Sequence, residues 1–254
     1  MPFPPNFRTS PNVHFGAPVC KHGYLGIMSK ALIFDLDDTL VSTRSAAQHA
    51  LQALYQAGLN RLWTSPEDLH AEWDRGLTLF SAMPRGHDKD FFDLKRLRMR
   101  LIHRREDMSD DEADQKFALF YRHYADGFKA FEDVAAFFSR PSLPPIGLIT
   151  NGASRIQREK LQRTGLAAYF QCIVISAEVE MEKPDPRIFR LAAEQIGRPI
   201  DQCHYIGDNV ALDFEGSRAA GMQSTLISRY GMRPFSAGSQ IQSLLELSQD
   251  PFHP

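Results

Sequence analysis

Cysteine is scarce in this 254-residue chain: Cys20, Cys172 and Cys203 are an odd number, with no CxxC pair and no Cys/His cluster at zinc spacing. A disulfide framework and a thiolate metal site are therefore not expected. Cys172 and Cys203 each open a short apolar run and read as buried thiols, so a reducing compartment, the cytoplasm, is the expected location. An excess of one charge is lacking too. The formal net charge is -2, so no overall field draws the protein to nucleic acid or to an anionic membrane. No apolar stretch approaches the length of a membrane span. The proline-rich residues 1–28 hold no continuous apolar segment of the kind a secretory signal needs, and they read as a poorly ordered extension. No internal repeat or low-complexity segment is present.

What is there is ordinary globular material, 43% hydrophobic and 24% charged. The length suits one core with a smaller inserted part. Ala31-Leu-Ile-Phe is an apolar run of the kind that forms a strand buried on both faces of a parallel sheet, and it stops abruptly at Asp35. Residues 44–131 then read as helices only. Ala46, Ala50, Leu51 and Leu54 share one face before Gly58. Ser65 stands ready to cap a helix opening at Pro66. Phe91, Leu94, Leu97 and Leu101 mark a third stripe, and Phe117, Phe120, Tyr121 and Tyr124 a fourth. Afterwards apolar runs at 146–149, 172–175, 203–206 and 224–227 alternate with helical stretches around 154–164, 186–197 and 213–221. That rhythm predicts an α/β fold, a doubly wound Rossmann-like parallel sheet formed by residues 29–43 and 132–254, with the first strand central and the helical block 44–131 inserted.

In such a sheet ligands bind beyond the carboxyl ends of the strands, and here those ends carry unusual polar residues. The first delivers Asp35, Asp37 and Thr39, the second Thr150, Asn151 and Gly152, and the fourth Gly207, Asp208 and Asp213. The loop after the third supplies Lys183. Four carboxylates in one crevice repel strongly, by about 4 kcal/mol for each pair at 4 Å and an effective dielectric near 20. Lys183 offsets one charge, and a divalent cation would offset two. Oxygen-only ligands select a hard cation, and a phosphate-bearing substrate selects Mg²⁺. Asp35, at the tip of a buried strand, is placed to attack phosphorus in line. Asp37 is placed to protonate the leaving oxygen and then to take a proton from water. Thr150, Lys183 and the amides near Asn151 and Gly152 would hold the phosphoryl oxygens, Asp208 the metal, and Asp213 either Lys183 or a metal-bound water.

Asp35-Leu-Asp-Asp-Thr-Leu, Leu148-Ile-Thr-Asn-Gly, Glu182-Lys-Pro-Asp-Pro-Arg-Ile-Phe and Gly207-Asp-Asn-Val-Ala-Leu-Asp resemble, in order, the four motifs of the haloacid dehalogenase-like hydrolase superfamily. The helical block resembles that superfamily's helical cap. The stretch Ile149-Thr-Asn-Gly-Ala-Ser-Arg-Ile-Gln-Arg-Glu-Lys is similar to N-acylneuraminate-9-phosphatases and pyrimidine-nucleotide phosphatases. The resemblance implies the roles just given, with Asp37 also offering its main-chain carbonyl to the metal. It implies a phosphatase acting on a small phosphorylated metabolite, a sugar phosphate or nucleoside monophosphate. A phosphomutase, a haloacid dehalogenase and a catalytically silent binding protein are the other readings this fold leaves open.

Three further features receive structural readings. Asp38 sits at a variable position of the first motif and is expected to be a solvated loop residue. The basic run from Lys95 to Arg100, continued by His103, Arg104 and Arg105, is read as a solvated helix face and not as a nucleic-acid site. Arg85 and His87, in the turn-rich Met83-Pro-Arg-Gly-His-Asp, are candidate substrate contacts from a loop overhanging the site.

Overall fold

The computed structural model describes residues 30–82, 91–232 and 234–247. Its centre is a six-stranded sheet of order β3-β2-β1-β4-β5-β6, parallel throughout. The strands are β1 (Ala31–Phe34), β2 (Ile146–Thr150), β3 (Cys172–Ile175), β4 (Cys203–Gly207), β5 (Gln223–Ile227) and β6 (Ser239–Ile241). The unbroken apolar run of β1 has the expected cause. Leu32 and Phe34 enter the cluster on one sheet face, and Ala31 and Ile33 the cluster on the other, so no position is left for a polar side chain. Cys172 and Cys203 are free, buried thiols in β3 and β4.

Helices cover both faces. α5 (Glu132–Phe138) and α6 (Ser154–Thr164) contribute Val134, Phe137, Phe138 and Leu161 to one side. α8 (Pro186–Ile196) contributes Ile188, Phe189, Ala192 and Ile196 to the other. The short α7 (Ser176–Val179) follows β3, and α9 (Gly216–Ala220) precedes β5. Successive connections run from β1 through β2 to β3 and then return to β4 on the far side of β1. The order therefore reverses between β1 and β4, and a crevice opens there at the carboxyl ends.

Between β1 and α5 lie α1 (Thr43–Gln56), α2 (Pro66–Ala82), α3 (Phe91–Ile102) and α4 (Asp110–Asp126). Ser65 Oγ caps α2 by accepting from Asp68 N, 3.1 Å, as its position before Pro66 predicts. These helices bury a cluster of their own, including Leu51, Leu69, Trp73, Met99 and Phe120. The two segments that join them to the sheet run side by side: Ser42 N donates to Lys129 O, and Phe131 N to Leu40 O, each at 3.0 Å.

α3 departs from its expected pattern. The buried side is Lys95, Met99 and Ile102, while Leu94, Leu97 and Leu101 are only half-buried. The part of the basic run on α3 is correspondingly not a solvated face, whereas Arg104 and Arg105 beyond it are exposed as expected. Arg96 pairs with Asp110 and Asp114, and Arg100 with Asp110. The guanidinium of Arg98 lies 4.3 Å from the Trp73 ring centre, and that of Arg104 4.2 Å from Trp63. Aromatic neighbours and acidic partners from α4 take up charges that periodicity alone assigns to solvent.

Candidate active site

The polar residues at the strand ends converge. Asp35 continues β1, its N–H donating to Ile206 O of β4 at 2.9 Å, and its side chain is buried. Lys183 approaches from the loop before α8, and its Nζ donates to Asp35 Oδ1 at 2.5 Å and Asp213 Oδ1 at 2.7 Å. Tyr205 OH, 3.1 Å, and Ile149 O, 3.3 Å, complete the shell around the ammonium. Asp213 comes from a π-helical turn, residues 210–215, and its second oxygen accepts from Asn209 N at 3.0 Å. The extra residue of a π turn is a common device for re-aiming a side chain at a functional site. Tyr205, hidden inside an apolar run, is a member of the cluster that the sequence does not announce.

The charges do not balance. Desolvation, over the opposing pull of Lys183 and with the repulsion of Asp213 and Asp37, raises Asp35 to about 7. Desolvation and then the charges of Asp35 and Asp213 raise Asp208 to about 8. Burial works against the Lys183 ammonium, but Asp213 and Asp35 overcome it and hold the lysine well above its ordinary value. One lysine among three buried or half-buried carboxylates leaves negative charge uncompensated.

That excess fits a hard divalent cation. Asp35, Asp208 and Asp213 bring carboxylate oxygens within 4.8 Å of one another. Among the described residues the Asp208 carboxylate accepts no hydrogen bond and forms no ion pair, and the influences that raise it are burial and neighbouring charge alone. A half-buried carboxylate without a donor, in an all-oxygen set, has the chemistry of a Mg²⁺ ligand.

Thr150 is fully buried at the end of β2. Of the two residues whose main-chain amides are expected to face the phosphate, Asn151 keeps that amide available while its side chain has another partner, and Gly152 departs from expectation. The Asn151 carboxamide spans the Lys183 main chain, Nδ2 donating to Lys183 O at 3.0 Å and Oδ1 accepting from Lys183 N at 2.9 Å. Its side chain thus anchors the lysine loop, and any phosphate contact falls to its main-chain N–H. Gly152 N donates to Ser176 Oγ at 2.9 Å, which commits that amide to the β3–α7 junction and removes it from the expected phosphate cradle. Asp38 is no free loop residue either. It sits at φ 56° and accepts from Thr43 Oγ1, Arg44 N and Tyr230 OH, fixing the start of α1. Arg85 and His87 lie outside the described residues.

Asp37 has partners that its sequence neighbourhood does not reveal. Lys160 Nζ donates to its Oδ1 at 2.6 Å, and Gln157 Nε2 to its Oδ2 at 2.9 Å. Both donors stand on α6, and Gln157 Nε2 also reaches Thr150 Oγ1 at 2.5 Å. The only signal in the sequence is two polar residues three apart on the side of α6 that also carries buried Leu161.

The haloacid dehalogenase-like hydrolase family matches residues 29–221. A glyceraldehyde 3-phosphate phosphatase from Methanopyrus kandleri is 31% identical over 80% of this chain and 85% of its own. A phosphoserine phosphatase from Thermus thermophilus is 43% identical over 35% of each chain, so this chain aligns with about a third of that relative's length. Among solved structures, the HAD-hydrolase YfnB from Bacillus subtilis, bound to magnesium, superposes with a TM-score of 0.72 at 20% identity, covering 86% of this chain and 96% of that one. At that identity the likeness speaks for the fold.

Proposed function

We propose that this chain, which belongs to the haloacid dehalogenase-like hydrolase family, is a Mg²⁺-dependent phosphatase that forms an aspartyl-phosphate on Asp35. The observation that carries this reading is the Lys183 ammonium held between Asp35 and Asp213, beside an Asp208 carboxylate with no donor among the described residues. The substrate is a small phosphorylated metabolite, a sugar phosphate or nucleoside monophosphate, comparable in size to the compounds for which the relatives are named.

A carboxylate oxygen of Asp35 attacks phosphorus, and the bond from phosphorus to the ester oxygen breaks. Asp37 gives the departing oxygen its proton. In the second half, Asp37 takes a proton from water, whose oxygen attacks phosphorus. The bond from phosphorus to Asp35 breaks, freeing orthophosphate and restoring both aspartates. Thr150, Lys183 and the Asn151 main-chain N–H neutralise the charge on the phosphoryl oxygens, the largest kind of catalytic contribution in such transfers. Asp35, the Asp37 carbonyl and Asp208 would hold Mg²⁺, with Asp213 behind them. Bound there, the ion would offset the repulsion among carboxylates and phosphoryl group.

We assign residues 44–131 the role of a cap that excludes water during transfer and selects the leaving group. Its separate apolar cluster and its attachment through two paired segments support that role. Contacts with the sheet domain also run through α6: Tyr121 OH donates to Glu159 Oε2 at 2.7 Å, and Arg163 pairs with Asp126 at 3.2 Å. Among the described residues no helix is long and apolar enough to cross a membrane, and buried free thiols suit the cytoplasm. The reading is tested by turnover of an aryl phosphate, which should disappear with chelator and return with Mg²⁺. Full turnover in excess chelator would refute it.

A further inference from the structure

We infer that Gln157 and Lys160 of α6 are positioning residues for the reaction, holding the Asp37 carboxylate and setting the direction of the Thr150 hydroxyl. The inference rests on the phosphatase reading, since it assigns α6 a part in that chemistry.

The geometry starts with one carboxylate and two donors. Asp37 follows β1 and its side chain is about one-third exposed, whereas Lys160 is 5% exposed. Lys160 takes Oδ1 and Gln157 takes Oδ2. A carboxylate gripped on both oxygens by two groups of the same helix has lost its side-chain rotation, and α6 is itself fixed by its N-terminal link to β2. A structural ion pair tying a loop to a helix would account for the Lys160 contact alone. It does not account for Gln157, which joins the other oxygen of that carboxylate to Thr150.

The second effect concerns a hydrogen. A threonine hydroxyl both donates and accepts. When Gln157 Nε2 donates to Thr150 Oγ1, the hydroxyl hydrogen points elsewhere, and the crevice beside Asp35 is where the phosphoryl oxygens stand in the proposed reaction. Gln157 Nε2 has two hydrogens and three acceptors within reach: Asp37 Oδ2, Thr150 Oγ1 and Asn151 O, 3.0 Å. The amide therefore ties the acid/base residue, the phosphate-binding hydroxyl and the segment anchoring Lys183 into one unit. A misplacement of about 1 Å costs on the order of 10²-fold in such a site.

The test uses full-length protein with Mg²⁺ and two substrates, p-nitrophenyl phosphate and a simple alkyl phosphate. kcat/KM reports the steps through departure of the leaving group, and only the alkyl oxygen depends heavily on a proton from Asp37. Lys160→Met should lower kcat/KM for the alkyl phosphate about 10²-fold, the low end for loss of general acid catalysis, and for p-nitrophenyl phosphate only several-fold. Lys160→Arg should restore most of the alkyl rate. Equal losses on both substrates, or none, would overturn the role of Lys160. Should Lys160→Met not fold, the test passes to Gln157→Leu and Thr150→Val, singly and combined. Strong non-additivity is expected, because Thr150→Val removes the hydroxyl that Gln157→Leu leaves undirected. Additive losses would overturn the inference. Wild-type turnover separates the two proposals: with it, the outcomes above judge α6 alone. Its absence overturns the phosphatase reading, and this inference with it.

Discussion

A Cβ on Gly207 would lie 2.4 Å from Asp213 Cγ, so Asp213 occupies the space that any side chain at position 207 would need. The glycine is required by volume here; its φ is not in the left-handed region. Asp213 reaches Lys183 only because β4 ends without a side chain at that point. Gly207→Ala should displace the Asp213 carboxylate and with it the lysine. We expect kcat to fall by at least about tenfold on every phosphate ester, the consequence of ångström-scale misplacement. Steady-state kinetics on a well-folded variant, checked by its melting curve, decides this. Unchanged kcat would mean that Asp213 does not orient Lys183.

Removing Lys183 should depress every substrate together. Its ammonium meets Asp35, Asp213, Tyr205 and Ile149 O from different directions. Lys183→Ala is expected to reduce turnover about 10²–10³-fold, the scale of one preorganised electrostatic contact. Lys183→Arg should rescue little, because a planar guanidinium cannot match that arrangement. A loss confined to one substrate would instead make Lys183 a specificity residue.

The helical block should carry a pH-dependent weakness at His103. Burial first, then the charges of Lys116 and Arg105, lower its pKa to about 4. A histidine that resists protonation when folded but accepts it near 6.5 when unfolded leaves stability intact above that value. Stability then falls as pH drops from about 6.5 toward 4. Melting curves over that range should show the decline, and His103→Gln should flatten part of it. The ring resonances of His103 should titrate near pH 4, and a midpoint near 6.5 would contradict the assignment.

The parts most legible in the sequence were those fixed by burial. β1 and β3 are unbroken apolar runs because both sheet faces are covered, whereas β4 and β5 admit His204 and Thr225, which bond each other across the two strands, and Asp35 marks the place where the first run ends. β6 was not legible: Ser239–Ile241 offers one buried residue, Ile241, and pairs only at the sheet edge. Amphipathic counting misjudged α3, because it treats Lys95 as a solvent residue although aromatic packing buries it over Phe117. Within the site, adjacency in the chain does not imply a shared task. Thr150, Asn151 and Gly152 are consecutive, yet the Gly152 amide serves Ser176, while the Asn151 side chain has a second task in the lysine loop that the sequence does not announce. Gln157 and Lys160 reach Asp37 from over a hundred residues away, a relation that only the parallel placement of β1 and β2 creates.

The central claim is that Asp35 carries the phosphoryl group during turnover. The Asp37→Asn variant should slow release of that group by water while still accepting it from an ester with a good leaving group. Mixing this variant with p-nitrophenyl phosphate and Mg²⁺, quenching in acid and mapping peptides by mass spectrometry measures the claim directly. The account predicts one phosphoryl group, on the peptide containing Asp35 and at that residue, and none in the Asp35→Asn/Asp37→Asn double variant. Unmodified Asp35 under conditions where the leaving group is released in a burst, or a phosphoryl group on another residue, would contradict it.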